Sequence, residues 1–476
     1  MAALEALGPL LALVSGALLA LLLEAFLGRK GHEAAATASV AALFLSCVLI
    51  VRSWGLDLGA FGGRLSLDRP ALLLMALVAA AGIFAVMMSL AYARSQGLNL
   101  GQLCGLLLLA AAGLMIMVSS TDWLVVFLGL EVLSVASYAL TGLKRSDRSS
   151  SEAAAKYFLT GSFAGAFFVF GMALVFGATG RLDFYGGLAR GDSWPGLVPG
   201  AEAGFALIVA ALLFKIAAAP FHMWAPDVYE GAPTPVTAFL TVAPKAAGLA
   251  VLFRALRPPL ALGPSPAVLG SVLLAAAVLT MFVGNLAALR QSSVKRMLGY
   301  SAIAHTGYLL LAVVSGDGAG LVFYLVAYAF MNFGAFAVLA ALTGKGVEHV
   351  ALDDLAGLGR RNPWLAAGLT VFLFSLAGFP PTAGFLAKFQ VFGAAVAAGH
   401  VLPVVAAVLA SLISVAYYLR VVVVMYMREP EAEVAVEREN PALFLVVFLS
   451  LFGVLQLGLW PGNLLALIRQ AFAAPF

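Results

Sequence analysis

Fourteen stretches of about 18 or more residues carry no charge or almost none, and their recurrence along the chain restricts its fold more than any other feature. They fall at approximately 6–27, 35–52, 70–92, 103–120, 122–143, 154–177, 203–222, 236–255, 265–289, 297–315, 319–343, 364–399, 401–427 and 442–466. Each is long enough to cross roughly 30 Å of hydrocarbon as a helix. With 63% hydrophobic and 11% charged residues, the chain reads as an all-α polytopic membrane protein of about fourteen transmembrane helices. The stretch 364–399 exceeds one span and is expected to break at Gly378, Phe379, Pro380 and Pro381. The first run has no basic leader and no clear cleavage site, so it reads as a retained span.

Lysine and arginine in the connections set the orientation. Odd-numbered connections, including LGRKGHE, LKRSDRSS, LRQSSVKRM and LGRRNP, hold about fourteen basic residues against about seven in the even ones. The odd connections are therefore expected in the cytoplasm and both termini outside. The same asymmetry accounts for the net charge of +4, and no basic, aromatic-interleaved groove suggests nucleic acid. The acidic segment MREPEAEVAVEREN reads as a solvated cytoplasmic loop. Cys47 and Cys104 show no CxxC or His-paired spacing, and neither a GxxxxGK[ST] loop nor a GxGxxG turn after a strand occurs. No metal, cofactor or nucleotide site is expected on this chain.

Function then rests on ionisable residues inside spans, where each charge costs roughly 2.5–3.5 kcal/mol at a helix centre. Glu131 is the only charge from Trp123 to Leu143, and Lys215 the only fixed charge between Glu202 and Asp227. Lys245 is alone between Glu230 and Arg254, and Lys388 between Arg361 and Arg420. Arginine outnumbers lysine 19 to 8, yet the deep positions are lysines. Arginine does not release its proton in a protein, whereas a desolvated lysine can. A static pair of Lys215 with Glu131 is the alternative reading. His305, in GYSAIAHTGYLLLAVV, and His222 are candidate relay groups, and Lys156 is a secondary candidate able to snorkel. Glu24 reads as edge charge near Arg29.

Helix breakers accompany these charges: Pro220 follows Lys215, Pro244 immediately precedes Lys245, and Pro380 and Pro381 precede Lys388. Interrupted spans beside titratable residues are a transporter signature. The intervals from Glu131 to Lys215 and from His305 to Lys388 are 84 and 83 residues. The two sets lie five spans apart, an odd number, which predicts two inverted repeats.

The stretch FKIAAAPFHMWAPDVYEGAPTPVTAFL, with GLEVLSVASYALTG before it and SVKRMLGYSAIAHTGYLLL and LAGFPPTAGFLAKFQVF after it, resembles the N-subunit family of the bacterial proton-pumping NADH:quinone oxidoreductase, respiratory complex I. The resemblance covers about residues 100–425; DVYEGAPTPV and GLEVLS are N-like, and Lys388 stands where the M-type relative carries glutamate. It implies three N-terminal spans in 1–100, a first antiporter-like five-helix unit in 101–260, a second, inverted unit in 261–428, and a loop with a last span in 429–476. It further implies that Glu131 faces Lys215 and that Lys215, Lys245, His305 and Lys388 form a proton-carrying line. Redox groups (NADH, FMN, iron–sulfur clusters and quinone) would belong to the wider complex. The partners would be other membrane-arm subunits, including antiporter-like neighbours, in the bacterial inner membrane. An Mrp-like cation/proton antiporter subunit and a structural membrane scaffold remain the alternatives.

Overall fold

The computed structural model describes residues 2–184, 201–262, 266–344, 346–429 and 441–473. Its spans are α1 (Ala2–Leu27), α2 (His32–Arg52), α3 (Arg69–Ser95), α4 (Leu100–Ser119), α5 (Trp123–Thr141) and α6 (Arg148–Thr179). The seventh crossing is a broken pair, α7 (Ala201–Lys215) and α8 (Ala225–Gly231). Continuous spans α9 (Thr234–Leu262), α10 (Pro266–Ala288), α11 (Val294–Val314) and α12 (Gly318–Ala341) follow. After the short α13 (Leu358–Arg361) comes a second broken pair, α14 (Pro363–Ala377) and α15 (Ala383–Ala397), then α16 (Val401–Met427), α17 (Pro441–Leu459) and α18 (Gly462–Phe472). Among the described residues, twelve helices are long and apolar enough to cross a membrane. The two broken pairs bring the crossings to the expected fourteen.

Local chemistry explains where spans begin. Asp68, Asn99, Asp122, Asp147, Ser293, Asp317 and Asn362 each accept a backbone N–H of the first turn that follows, which satisfies donors a helix start leaves orphaned. Gly180 and Gly378 end α6 and α14 with φ of 69° and 95°, a conformation glycine adopts without steric cost.

Two expectations are corrected. Pro244 does not break its helix, for α9 runs through it from Thr234 to Leu262. Its apolar span is buried throughout, so neighbouring helices hold the segments on either side of the proline in line. The last span ends at Leu459 rather than near 466, because Trp460 and Pro461 separate it from α18. That helix is amphipathic, burying Ile468 and Ala471, and it lies against α3 and α12. Of the acidic 427–440 segment, residues 430–440 lie outside the described residues.

Hydrogen bonds sort the connections into two faces. Odd-numbered connections meet each other: Gln96 donates to Gly344 O at 2.9 Å, Val294 N to Val350 O at 2.8 Å, and Lys144 pairs with Glu348 at 2.5 Å. Even-numbered ones meet at the opposite end, with Thr121 N on Arg64 O at 3.0 Å and Trp123 N on Leu182 O at 2.9 Å. Consecutive crossings therefore alternate in direction, and α4 and α10 run oppositely. In the set α4 to α9 and in the set α10 to α16 the fourth crossing is the broken one. The first two helices of each set cross at glycine: a Cβ on Gly113 would meet Gly129 O at 2.6 Å, and one on Gly307 would meet Ala277 O at 2.6 Å. Small residues let backbones approach in this way where lipid supplies no hydrophobic drive.

Candidate functional site

Helices α9, α11 and α12 form the buried centre, and the titratable side chains are strung through it. Lys215 is the last residue of α7 and is buried, donating to Ser134 Oγ of α5 at 2.9 Å and to Tyr157 Oη of α6 at 3.4 Å. Its ammonium lies 5.4 Å from the Tyr157 ring centroid, and that ring stacks on Trp224 at 4.5 Å. A cation at a helix C-terminus is favoured by the carbonyls aligned there. Directly beyond it the chain turns sharply, with Ala217 at φ 58°, a left-handed conformation that costs a non-glycine residue roughly 1–2 kcal/mol. Thr306 of α11 donates to the freed Ile216 carbonyl at 3.0 Å, and Ala219 N donates to Thr280 Oγ1 at 2.9 Å. These bonds give the broken backbone the partners that membrane depth demands.

Glu131 lies half-buried on α5 within electrostatic reach of Lys215. The two are not in ion-pair contact, because the ammonium is turned to Ser134, one helical turn further along.

Helix α11 joins the remaining groups. The fully buried Lys245 donates to the Ala302 carbonyl. Three residues on, His305 Nδ1 is 2.9 Å from Tyr324 Oη, and its ring is 5.0 Å from that of Tyr328. Three further on, the ring of Tyr308 lies 5.1 Å from Lys388 Nζ. Positions 302, 305 and 308 lie on one side of the helix, and both Lys245 and Lys388 act electrostatically on His305.

Lys388, in the second turn of α15, reaches back across the break. It donates to the carbonyls of Leu376 and Ala377 at 3.0 and 2.8 Å and to Ser411 Oγ at 2.8 Å. The nearly equal intervals in the sequence thus hide a difference. Lys215 precedes its break and Lys388 follows its own, yet both place an ammonium at the carbonyl end of a half-helix. Pro220, Pro380 and Pro381 lie in these two breaks. An apolar cleft of about 760 Å³, walled by Phe385, Phe389, Phe392, Val404 and Leu412, opens beside Lys388.

Three residues stand apart from this line. Lys156 is exposed and bridges Glu152 at 2.8 Å and Asp227 at 2.7 Å. His222 lies in the first break, its Nδ1 buried without a hydrogen-bond partner. Glu24 lies near the end of α1 as expected but is buried there, accepting from Asn99 at 2.7 Å and lying 3.3 Å from His32. Other polar groups could not be singled out from the sequence. Ser134, Tyr157, Tyr324 and Ser411 carry no charge to mark them, and Lys295, only 1% exposed, looked like one more basic residue of a loop. Asn332, buried in α12, left a readable signal, an amide in the middle of an apolar run.

Among the described residues no three His, Cys, Asp or Glu side chains gather as a metal site would require. What the arrangement offers chemically is the holding and release of protons by amines, an imidazole, a carboxylate and hydroxyls.

Two broken spans in oppositely running sets, each with a lysine at the break, define an antiporter-like membrane protein. The transmembrane family described as NADH:quinone oxidoreductase/Mrp antiporter matches residues 120–414. The chain is 41% identical over 462 residues to NADH-quinone oxidoreductase subunit N of Trichlorobacter lovleyi, covering 95% of this chain and 93% of that protein. The corresponding protein of Chloroflexus aggregans is 42% identical over 484 residues, covering 98% and 97%. Among solved structures, a chain of respiratory complex I from Thermus thermophilus with bound aureothin superposes with a TM-score of 0.82 at 34% identity, covering 96% and 98%. A chain of the Mrp complex from Dietzia sp. matches with a TM-score of 0.84 at 22% identity, covering 99% and 97%, which is a likeness of fold alone. The chain belongs to the family of NADH-quinone oxidoreductase N subunits.

Proposed function

We propose that this chain is a proton-translocating subunit of the membrane arm of an NADH:quinone oxidoreductase. It is a non-redox part of that translocase, moving protons through Glu131, Lys215, Lys245, His305, Lys388 and bound water. Electron transfer by NADH, FMN, iron–sulfur clusters and quinone takes place in other subunits, and other membrane-arm subunits, antiporter-like ones among them, flank this chain. It sits in the bacterial inner membrane with both termini on the outer side. Residues 101–260 and 261–428 act as two inverted units, between the spans of 1–100 and the segment 429–476. The observation that carries this reading is the continuity along α11, where Ala302, His305 and Tyr308 touch or neighbour Lys245 and Lys388 in turn.

The coupling is electrostatic. At an effective dielectric near 20 a unit charge is worth about 4 kcal/mol at about 4 Å and still about 2 kcal/mol at twice that distance, and one pKa unit only about 1.4 kcal/mol. Displacing Glu131 relative to Lys215 when the redox half of the complex changes state is therefore enough to move a proton.

The test is NADH-driven proton pumping, recorded together with quinone reduction in native membrane vesicles carrying Lys215→Met and a fully assembled complex. Pumping is expected to fall by about tenfold or more, the loss of a positioned proton carrier. Unchanged pumping per electron would make the lysine structural and reject the reading.

A further inference from the structure

On the face where the odd-numbered connections meet, a polar cavity of about 870 Å³ opens between residues 96–102, 143–147 and 346–350. In its wall lies Glu348, which is 10% exposed. Its two oxygens are fully engaged: Lys144 Nζ donates to Oε1 at 2.5 Å, Lys295 Nζ to Oε2 at 2.8 Å, and Thr234 Oγ1 to Oε2 at 3.2 Å. Lys295 also donates to the Ala232 carbonyl at 2.6 Å. Glu230, Asp147 and Arg145 are the further charges around this cluster, on the cavity wall.

Two ammonium groups share one carboxylate in a buried place, with Asp147 and Glu230 acting on them only from a distance and Glu230 itself bound by Arg296 at 2.6 Å, so the arrangement is least costly when one member is neutral. Burial acts on the two members outside the spans in that direction, pushing the Glu348 carboxyl up and the Lys144 ammonium down. Both shifts narrow the usual gap in proton affinity between a carboxylate and an amine. For a plain structural ion pair, that narrowing is a weakness; for a site that must take up and hand on protons, it is what is needed.

The cluster continues inward. Thr234, Thr237, Thr241 and Lys245 follow one another at spacings of three and four on α9, all buried, so they form one stripe about 16 Å long. Thr241 Oγ1 accepts from Asn332 Nδ2 at 2.7 Å, and the same amide lies 3.0 Å from Tyr328 Oη, whose ring faces His305.

We propose that Glu348, shared between Lys144 and Lys295 in the cavity wall, is the loading site through which protons pass between that face and the α9 threonine stripe ending at Lys245. A proton from solvent forms an O–H bond on Glu348. That bond breaks as each hydroxyl or bridging water of the stripe accepts one proton and gives up another. A new N–H bond forms on neutral Lys245, so Glu348 is again a carboxylate and no electron moves.

This inference rests on the pumping reading above, and the experiment separates the two. In vesicles bearing the whole assembled complex, pumping per quinone reduced is followed across pH 6 to 9 for Glu348→Gln, Glu348→Asp, Thr241→Val and Lys215→Met. Wild type is expected to show a limb within this range, above the usual carboxylate range, because burial raises the Glu348 carboxyl. Glu348→Gln should lose that limb together with several-fold of its pumping. Glu348→Asp, which keeps the carboxyl and serves if the glutamine variant fails to assemble, should keep a displaced limb. Thr241→Val should lose pumping several-fold with the limb in place. If Lys215→Met abolishes pumping while the Glu348 and Thr241 variants keep wild-type rates and profile, the loading site is wrong and the pump reading stands. If Lys215→Met pumps normally, both fall.

Discussion

A lysine inside a membrane span is tolerated where something accepts its protons, and here the acceptors are mostly uncharged. Lys388 donates to two carbonyls at the end of α14 and to Ser411, and Lys215 donates to a serine and a tyrosine. Neutral acceptors satisfy the ammonium without fixing its charge, so the amine can lose a proton and remain in place. Arginine would keep the charge and the donors but not the ability to release a proton. Lys388→Arg, beside an open cleft with room for the larger group, is accordingly expected to assemble and to lose pumping by about tenfold or more, measured with quinone reduction in vesicles. A scaffold role predicts the reverse, a complex that assembles and pumps. The lysines themselves were legible because one charge in an apolar run is conspicuous. Their partners were not: Ser134 lies 81 residues from Lys215, and the carbonyls that hold Lys388 are free only because α14 stops where it does. The burial of Glu24 at its span end was hidden for the same reason, since its partner Asn99 is 75 residues away.

At the scale of helices, the breaks at 216–224 and 378–382 decide where ammonium groups can sit. Pro220, Pro380 and Pro381 marked them in the sequence, whereas Pro244 marked nothing, because proline ends a helix only where the surroundings let the two sides part. A helix buried throughout its apolar span, as α9 is, does not give it that freedom. Charge spacing showed that two similar sets exist, but not that each opens with a pair of helices crossing backbone to backbone. That contact makes a demand on stability. In Gly113→Val the new Cβ would stand 2.6 Å from both the Gly129 carbonyl oxygen and the Leu133 nitrogen, with main chain on both sides and no flexible side chain to yield. Forcing α4 and α5 apart is expected to cost on the order of 1–3 kcal/mol, seen as a lower melting temperature of the purified complex. Gly177→Ala in α6, where nothing lies within 4 Å of the new methyl and alanine is the better helix former, should not lower the melting temperature.

At the scale of the whole molecule, the two faces follow from the parity of the crossings, and parity needs both broken pairs counted as crossings. Had α7 and α8 been a re-entrant loop, every later connection would change sides and the bond from Gln96 to Gly344 would have to cross the membrane; had α14 and α15 been one, the pair of Arg428 with Asp353 at 3.1 Å would have to do so. The internal hydrogen bonds thus fix which connections share a face, while the excess of basic residues on the odd connections is the ground for proposing that their face is cytoplasmic. The direction of the proposed proton path depends on that second step, because the Glu348 cavity lies among the odd connections. Exposed single cysteines test it: Asp57→Cys in an even connection and Ser146→Cys in an odd one. The native background is low, since Cys104 is buried and Cys47 is only partly exposed within α2. A membrane-impermeant maleimide added to intact spheroplasts is expected to label Asp57→Cys alone, and Ser146→Cys only once the membrane is opened or inverted. The opposite pattern would leave the fold and the line of lysines as they are, but it would turn the chain over. Glu348 would then discharge protons to the outside rather than load them from the cytoplasm.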